Sequence, residues 1–269
     1  MDQEIPDELT EHNYSIVTRK EQINIDMEYA DDIGKLSSDY NAIQKFKQEI
    51  PTHLKSRNLI INETKTEEFK INRQTSEWKK CKYLGTLLDT KEDIQRRKSL
   101  AITAANKLND IFQNKRLTIT TKITVFKTYI ISIFLYNSET WTITSTEAEK
   151  IDAFHRKLLR IYVLNVRWPN IETNDHVYER TKTKYRWSQD IKKRRLKWFG
   201  KVIRMDETIP AKKALRYATQ PFKRPPGKPP STWINTIKKD FQSLNISWEL
   251  ACENALEEKE WERMINNNL

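Results

Sequence analysis

The chain has 269 residues, of which 37% are hydrophobic and 32% are charged, so it can bury a core in one large domain or two small ones. Two distant cysteines exclude a disulfide framework and paired zinc-binding cysteines, and no apolar run reaches membrane-spanning length. The net charge of +11 is concentrated in residues 151–232, which hold 21 basic and 7 acidic side chains.

This concentrated positive charge attracts polyanions, which favours a nucleic-acid partner over a membrane; a basic helix lying on a membrane surface is the alternative. The first eleven residues are acidic and lack the apolar segment of a signal peptide. We therefore expect a soluble, intracellular protein, in the nucleus or the cytoplasm.

The first regular pattern is an alternation of apolar and polar residues from Ile23 to Tyr29, which is typical of a half-buried strand. Ala30-Asp31-Asp32 interrupts the alternation, and it resumes over residues 33–36. This pattern predicts a β-hairpin with two aspartates at its tip. The residues before it, 1–22, form an acidic leader.

A helix is predicted after the hairpin, from about Tyr40 to Leu54, with a cap at residues 37–39 and a kink or restart at Pro51. Apolar runs predict short strands at 59–61, 69–71 and 83–88. From Ile94 the apolar spacing becomes helical, which predicts helices over about 94–112, 120–136, 146–163 and 191–205. Strands in the first third and helices after them indicate an α+β fold.

The last third contains a proline-rich basic segment, residues 221–230, which holds five of the nine prolines and is predicted to be stiff and extended. Ser231 or Thr232 is suited to cap a helix that starts at Trp233, and Ser247 is suited to cap the last helix. We expect that last helix to contain both Trp248 and Trp261.

Two adjacent carboxylates at a hairpin tip, Asp31 and Asp32, are suited to hold divalent cations, because Mg²⁺ prefers hard oxygen ligands. Paired cations of this kind stabilise the attacking and leaving oxygens of a phosphoryl transfer. The alternative is an ordinary polar turn, since aspartate is common in turns. The flanking strand pattern favours the metal-binding interpretation.

Tyr29-Ala30-Asp31-Asp32 on a hairpin resembles the catalytic motif of reverse transcriptases, particularly those of non-LTR (LINE-like) retrotransposons. Later segments are similar to that family in order and spacing. They are Asn62 to Thr66 (N-x-x-K-T), Lys82 to Gly85 (the Y-L-G primer grip), Leu135 to Trp141 (L-Y-G-x-E-T-W), Arg194 to Met205 (R-R-L-x-W-x-G-H-V-x-R-M) and Arg224 to Trp233 (R-x-x-G-R-P-x-x-T-W). Motifs in the right order are more specific than any one of them.

The resemblance implies RNA-directed DNA synthesis with Mg²⁺, on a partial palm (residues 23–90), an all-α thumb (91–165) and a helical basic tail (166–269). Asp31 and Asp32 would hold the metal, and Lys65 would assist at the nucleotide phosphates. The primer grip would be Lys82, Tyr83, Leu84 and Gly85. Without the family, Lys65 is a surface lysine and Tyr83 is a half-buried strand residue.

Basic and aromatic residues interleave in the tail, a composition suited to neutralising phosphates and stacking on unpaired bases of RNA or DNA. The alternative is that Trp198 and Phe199 pack in a core while the cations are solvated. His155 is expected to pack between helices rather than to bind a metal. The predicted nucleic-acid contacts are Arg186, Trp187, Lys192, Lys193, Arg194, Arg195, Lys197, Lys201, Arg204, Lys223, Arg224 and Lys228.

The sequence departs from the family pattern at Asn137, where glycine is usual, at Lys201, where histidine is usual, and at Lys228, where arginine is usual. The family's first metal-binding aspartate and its fingers have no counterpart before Tyr29. We therefore expect a polymerase fragment that is inactive alone; the alternative is a non-catalytic, nucleic-acid-binding remnant of such an element. A palm of this kind is expected to expose sheet edges.

Overall fold

The computed structural model describes residues 24–71, 75–184, 186–219 and 232–269. The acidic leader and the proline-rich segment, with Lys223, Arg224 and Lys228, lie outside the described residues. The described strands all precede residue 90, and helices follow them to the end of the chain. The predicted α+β class is therefore confirmed.

Strands β1 (Asn24–Tyr29) and β2 (Asp32–Ser37) come first, followed by helix α1 (Tyr40–Lys55). Two short strands, β3 (Lys82–Tyr83) and β4 (Thr86–Leu87), flank the turn at residues 84–85. The next helices are α2 (Thr90–Lys107), α3 (Asn109–Gln113), α4 (Ile119–Val125), α5 (Ser132–Phe134), α6 (Ser145–Leu158) and α7 (Asn174–Arg180). The last helices are α8 (Trp187–Ile203), α9 (Pro210–Thr219), α10 (Trp233–Gln242), α11 (Trp248–Leu256) and α12 (Glu258–Asn268).

The described residues form two compact units. One unit, here called the hairpin unit, comprises residues up to 85 together with 205–219. The other, here called the helical unit, comprises residues 86–204 and 232–269. The assignment of these residues to a palm, a thumb and a tail stays a prediction.

The predicted hairpin is confirmed. Strands β1 and β2 pair antiparallel from Asn24 opposite Ser37 to Tyr29 opposite Asp32. The turn consists of Ala30 and Asp31, and Ala30 has φ 53°. That left-handed conformation costs a residue with a side chain about 1 kcal/mol, so the turn at the tip is locally strained.

Helix α1 begins at its predicted cap, because the side chain of Asp39 accepts a hydrogen bond of 2.9 Å from the backbone N–H of Asn41. The helix runs through Pro51 to Lys55 without a restart. None of its residues is buried. Its apolar face is therefore only partly covered within the hairpin unit.

The predicted buried strands at 59–61 and 69–71 are wrong. These residues form no strand, and the side chains of Leu59 and Ile60 are 55% and 94% exposed. The three consecutive apolar residues at 59–61 have no periodicity that would distinguish a strand, and no described strand pairs with either segment. Among residues 25–71 and 75–85 no side chain is buried, so this part of the chain holds no closed core.

The helical unit contains a core built around Trp187, the first residue of α8, whose side chain is fully buried. Its ring stacks on Phe134 at a centroid distance of 4.3 Å and on His155 at 4.6 Å. A second aromatic cluster joins α8 to the C-terminal helices, with Phe199 against Phe241, Trp248 and Trp261. Trp248 and Trp261 lie in two helices, not one, because the backbone is extended at Glu257.

His155 packs inside the core, as predicted, with its side chain 1% exposed. Burial, with a smaller contribution from the charge of Arg156, lowers the pKa of this imidazole from 6.5 to about 3. The unfolded chain therefore takes up a proton as the pH falls below 6.5, whereas the folded chain does not until about pH 3. Stability from the neutral imidazole is thus present above pH 6.5 and is lost below it.

We expect His155→Phe, which keeps an aromatic ring at this position, to remove part of the acid sensitivity. Between pH 6 and pH 4 the free energy of unfolding of the wild type should fall more steeply than that of the variant, by up to about 1.4 kcal/mol per pH unit. Urea unfolding at several pH values measures this difference. The exposed-histidine variant His53→Gln is the control, and equal slopes for the wild type and His155→Phe would contradict the assignment.

Candidate functional site

The two predicted catalytic carboxylates lie at an exposed hairpin tip. Asp31 is the second turn residue, and Asp32 is the first residue of β2, paired with Tyr29. Both aspartate side chains are exposed, and that of Tyr29 is 68% exposed. The tip therefore presents two adjacent oxygen-donor groups to solvent.

These carboxylates do not complete a magnesium site within the part of the chain that the structure describes. Across those residues there is no group of three or more aspartate, glutamate, histidine or cysteine side chains that could hold a metal ion. A metal pair that serves phosphoryl transfer requires protein ligands on more than one side of it. Asp31 and Asp32 can supply one side only.

Tyr83 of the predicted primer grip lies close to the hairpin. Its ring is next to Gly34 of β2, where an added Cβ would lie 3.4 Å from the tyrosine ring and 3.2 Å from the Cε of Met27. Burial, followed by the negative charge of Asp32, raises the pKa of the Tyr83 hydroxyl. Tyr83 is therefore close enough to Asp32, a predicted catalytic residue, for the aspartate charge to affect its hydroxyl.

The other residues of the predicted primer grip lie in or next to a tight turn. Leu84 and Gly85 both have positive φ, 46° and 79°. Glycine adopts that conformation without steric cost, and leucine does not. Lys82 is exposed before the turn. The turn therefore depends on Gly85. It interrupts the strand predicted over 83–88, which the structure divides into β3 and β4.

Lys65 is exposed in a single 3₁₀ turn, Glu63–Lys65, that Asn62 organises. The Asn62 carbonyl accepts hydrogen bonds from the Lys65 N–H at 3.1 Å and from the Thr66 hydroxyl at 3.0 Å. The Asn62 side chain accepts one from the Thr64 hydroxyl at 2.7 Å. These hydrogen bonds hold the turn that carries Lys65, while a role of Lys65 at a nucleotide stays a prediction.

The segment Leu135 to Trp141 is partly buried and contacts α8, whose Arg194 and Arg195 donate to the Leu135 and Trp141 carbonyls. Ser138 and Trp141 are buried, and the indole N–H of Trp141 donates to the carboxylate of Asp93 at 3.0 Å. Asn137 has φ 58°, a conformation that asparagine tolerates better than most residues, so it is suited to the position where the resemblance predicts glycine. Its amide also donates to the Thr86 hydroxyl at 3.0 Å.

Two of the predicted nucleic-acid contacts require correction. Trp187 is fully buried in the core, so it cannot stack on a base from solvent. Arg195 is 2% exposed; its Nε lies 2.7 Å from the Asp240 carboxylate, and its Nη1 donates to the Trp141 carbonyl at 3.0 Å. A buried cation requires such a partner, and this one connects α8 to α10.

Arg194, Lys197 and Lys201 lie at helical spacing on the exposed face of α8, and we call them the cationic stripe. The Arg194 guanidinium donates to the Leu135 carbonyl at 3.4 Å. The Lys197 amine donates to Glu262 at 2.8 Å, and the Lys201 amine lies 5.7 Å from the half-buried Trp198 ring. The stripe therefore remains at the surface, although α12 neutralises part of its charge.

The remaining predicted contacts lie within α8 or next to its ends, outside the cationic stripe. Arg186 is exposed, with its guanidinium 5.9 Å from the Tyr178 ring. Lys192 and Lys193 are half-buried. Arg204 donates to the Ala255 carbonyl at 2.8 Å. Of these cations, Arg186 is the one most open to a polymer in solvent.

Sequence reasoning missed the buried pair Asp93 and Arg97 in α2. Asp93 is fully buried, and its carboxylate lies 3.6 Å from Arg97 and accepts a hydrogen bond of 3.2 Å from the Leu87 N–H. The available signal was the i, i+4 spacing of an acid and a base on one helix face. That spacing does not distinguish a buried pair from a surface pair.

The chain is 23% identical over 273 residues to an uncharacterized transposon-derived protein of Caenorhabditis elegans, and the match covers 90% of this chain and 95% of that protein. This similarity fits an origin in a transposable element. No family model and no solved structure matches the chain. In the described ranges, no helix is both long enough and apolar enough to cross a bilayer.

Proposed function

We propose that this chain is of the non-LTR retrotransposon reverse-transcriptase type and that it holds RNA and DNA without polymerising on its own. The observation that carries the reverse-transcriptase assignment is the hairpin, with Asp31 and Asp32 exposed at the tip of two strands in register. That position is suited to metal binding, because adjacent carboxylates at an exposed tip are accessible to a cation from solvent. The similarity to a transposon-derived protein supports the same origin.

Contacts between the remaining motifs give this assignment further support. Segments that are far apart in sequence meet in the helical unit: the Trp233 indole N–H donates to the Glu139 carbonyl at 2.8 Å, and Arg195 donates to the Trp141 carbonyl. A family motif with a shared structural role would be expected to make such contacts. These contacts support the proposal that the segments belong to one functional unit.

Nucleic-acid binding is proposed to use the cationic stripe with Arg186. Exposed guanidinium and ammonium groups neutralise phosphates and release counterions, which gives a strong, sequence-independent contribution to affinity. Trp198 beside Lys201 adds an aromatic surface of the kind that accompanies phosphate contacts in single-strand binding.

The second candidate function is nucleic-acid binding without any catalytic part. The observation that favours it is the metal-ligand set, because the described residues offer no third ligand to accompany Asp31 and Asp32. Both candidates predict binding to RNA and DNA. They differ in whether the carboxylates contribute to DNA synthesis when the rest of a metal site is present.

Replacement of the cationic stripe by alanine (Arg194→Ala, Lys197→Ala and Lys201→Ala together) is expected to weaken binding to single-stranded RNA and to reduce its salt dependence. Each lost phosphate contact lowers the slope of log affinity against log salt concentration by about 0.7, so the slope should fall by about 2. Fluorescence anisotropy with a labelled RNA, measured over a range of salt concentrations, gives both quantities.

A matched control removes the same charge elsewhere, at exposed lysines of the hairpin unit: Lys45→Ala, Lys55→Ala and Lys70→Ala. This control should keep most of the wild-type affinity and slope. An affinity that does not depend on salt, or equal effects of the two triple variants, would contradict the proposed role of the stripe.

A further inference from the structure

Helix α12 places two carboxylates, those of Glu258 and Glu262, against cations of α8. Lys197 lies within α8, and Arg204 caps its C-terminal end. The Lys197 amine donates to the Glu262 carboxylate at 2.8 Å, and the Arg204 guanidinium lies 3.6 Å from the Glu258 carboxylate. Lys197 and Arg204, both predicted nucleic-acid contacts, therefore already have anionic partners within the chain.

The position of Glu262 is fixed by the packing of its helix. Trp261, the preceding residue, is 1% exposed, and its indole N–H donates to the Leu196 carbonyl of α8 at 2.9 Å. Ile265 of the same helix is also 1% exposed. The backbone of Glu262 is therefore ordered by apolar packing, and the contact with Lys197 requires only the ordering of two side chains.

Three cations act on the Glu262 carboxylate. The hydrogen bond from Lys197 and the charge of that lysine, with smaller contributions from the charges of Arg204 and Lys193, lower the pKa of this carboxyl. Carboxylates and phosphates accept the same charge-assisted hydrogen bonds. A position where several cations act on one carboxylate is therefore suited to a phosphate as well.

Solvent reaches both members of the closest pair. The side chain of Lys197 is 46% exposed and that of Glu262 is 49% exposed. An exposed ion pair of this kind contributes little to stability, because water and salt screen the attraction. A polyanion arriving from solvent can therefore displace the glutamate without disturbing the packing of α12.

We propose that the Glu262 carboxylate occupies a phosphate position on α8 and that single-stranded RNA displaces it to reach Lys197. Helix α12 thereby restrains RNA binding, because every phosphate that contacts Lys197 competes with a carboxylate of the protein. This role of Glu262 rests on the proposed function, since Lys197 belongs to the cationic stripe.

Glu262→Gln nearly preserves the shape of the side chain and removes its charge. In the full chain this variant should tighten binding to a labelled single-stranded RNA about threefold at low salt, because an exposed ion pair corresponds to a factor of about 1.5 to 5. The matched control Glu253→Gln removes the same charge from an exposed position in α11 and should have a much smaller effect. Fluorescence anisotropy measures the affinities, and circular dichroism checks that both variants are folded.

Lys197→Ala separates competition at this lysine from a general effect of charge. In the Lys197→Ala background most of the gain from Glu262→Gln should disappear, because the cation for which glutamate and phosphate compete is gone. If the wild type binds RNA but Glu262→Gln matches Glu253→Gln, or its gain is undiminished without Lys197, the role of Glu262 is overturned and the proposed function stands. If the wild type does not bind RNA, both are overturned.

Discussion

Arg195→Ala is expected to lower the free energy of unfolding by about 3 kcal/mol, because it leaves the largely buried carboxylate of Asp240 without its partner. The Arg195 side chain is 3% exposed and that of Asp240 is 12% exposed, so solvent screens this ion pair only weakly. The neighbouring Arg194→Ala removes an exposed side chain and should change stability by less than about 0.5 kcal/mol. Urea denaturation of the two variants measures the contrast.

A further variant separates lost charge pairing from lost packing. Arg195→Met combined with Asp240→Leu replaces the ion pair with apolar side chains, and it should regain most of the stability that Arg195→Ala loses. RNA binding should show the opposite pattern to stability. It should fall for Arg194→Ala and remain unchanged for Arg195→Met combined with Asp240→Leu. Equal stability losses at positions 194 and 195 would refute the buried assignment of Arg195.

Gly200→Ala is expected to destabilise the helical unit by roughly 2 kcal/mol, although alanine is the better helix former by about 1 kcal/mol. An added Cβ would overlap the indole ring of Trp261, which is 1% exposed and whose N–H donates to the Leu196 carbonyl at 2.9 Å. A shift of the ring away from the new methyl group would disturb this hydrogen bond and the packing around Trp261. Thermal unfolding followed by circular dichroism measures the loss.

The adjacent exposed variant Lys201→Ala controls for any effect of alanine in this part of α8, and it should leave the melting temperature nearly unchanged. In a Trp261→Leu background, Gly200→Ala should cost much less, because the overlapping ring is gone. A Gly200→Ala protein as stable as the wild type would mean that α12 does not pack against α8 as closely as the structure indicates.

Local signals in the sequence were sufficient for the elements with strong periodicity. The alternation over 23–29 and 33–36 predicted β1 and β2, since a period of two has no helical interpretation. The caps at Thr232 and Ser247 were predicted from residue type, and each hydroxyl accepts a hydrogen bond from a backbone N–H of the first turn. Local chemistry decides such features, so no tertiary information was needed.

Tertiary contacts, rather than local patterns, determine the features that the sequence did not predict correctly. The run Leu59-Ile60-Ile61 is apolar, yet it is not a strand, because no described strand pairs with it. The sequence predicts Arg195 to be a nucleic-acid contact, yet its partner Asp240 is 45 residues away, so no local pattern indicates the buried pair. Trp187 was predictable in principle, since it shares the apolar face of α8 with Ile191 four residues later.

The central claim is that the chain grips nucleic acid but does not polymerise DNA with the carboxylates of its hairpin alone. Primer extension on an RNA template with Mg²⁺, with the wild type beside an Asp31→Ala/Asp32→Ala variant, tests it most directly. We expect template binding by both proteins and extension by neither. Extension by the wild type that the double variant lacks would contradict the claim, because it would require a further ligand to complete the metal site.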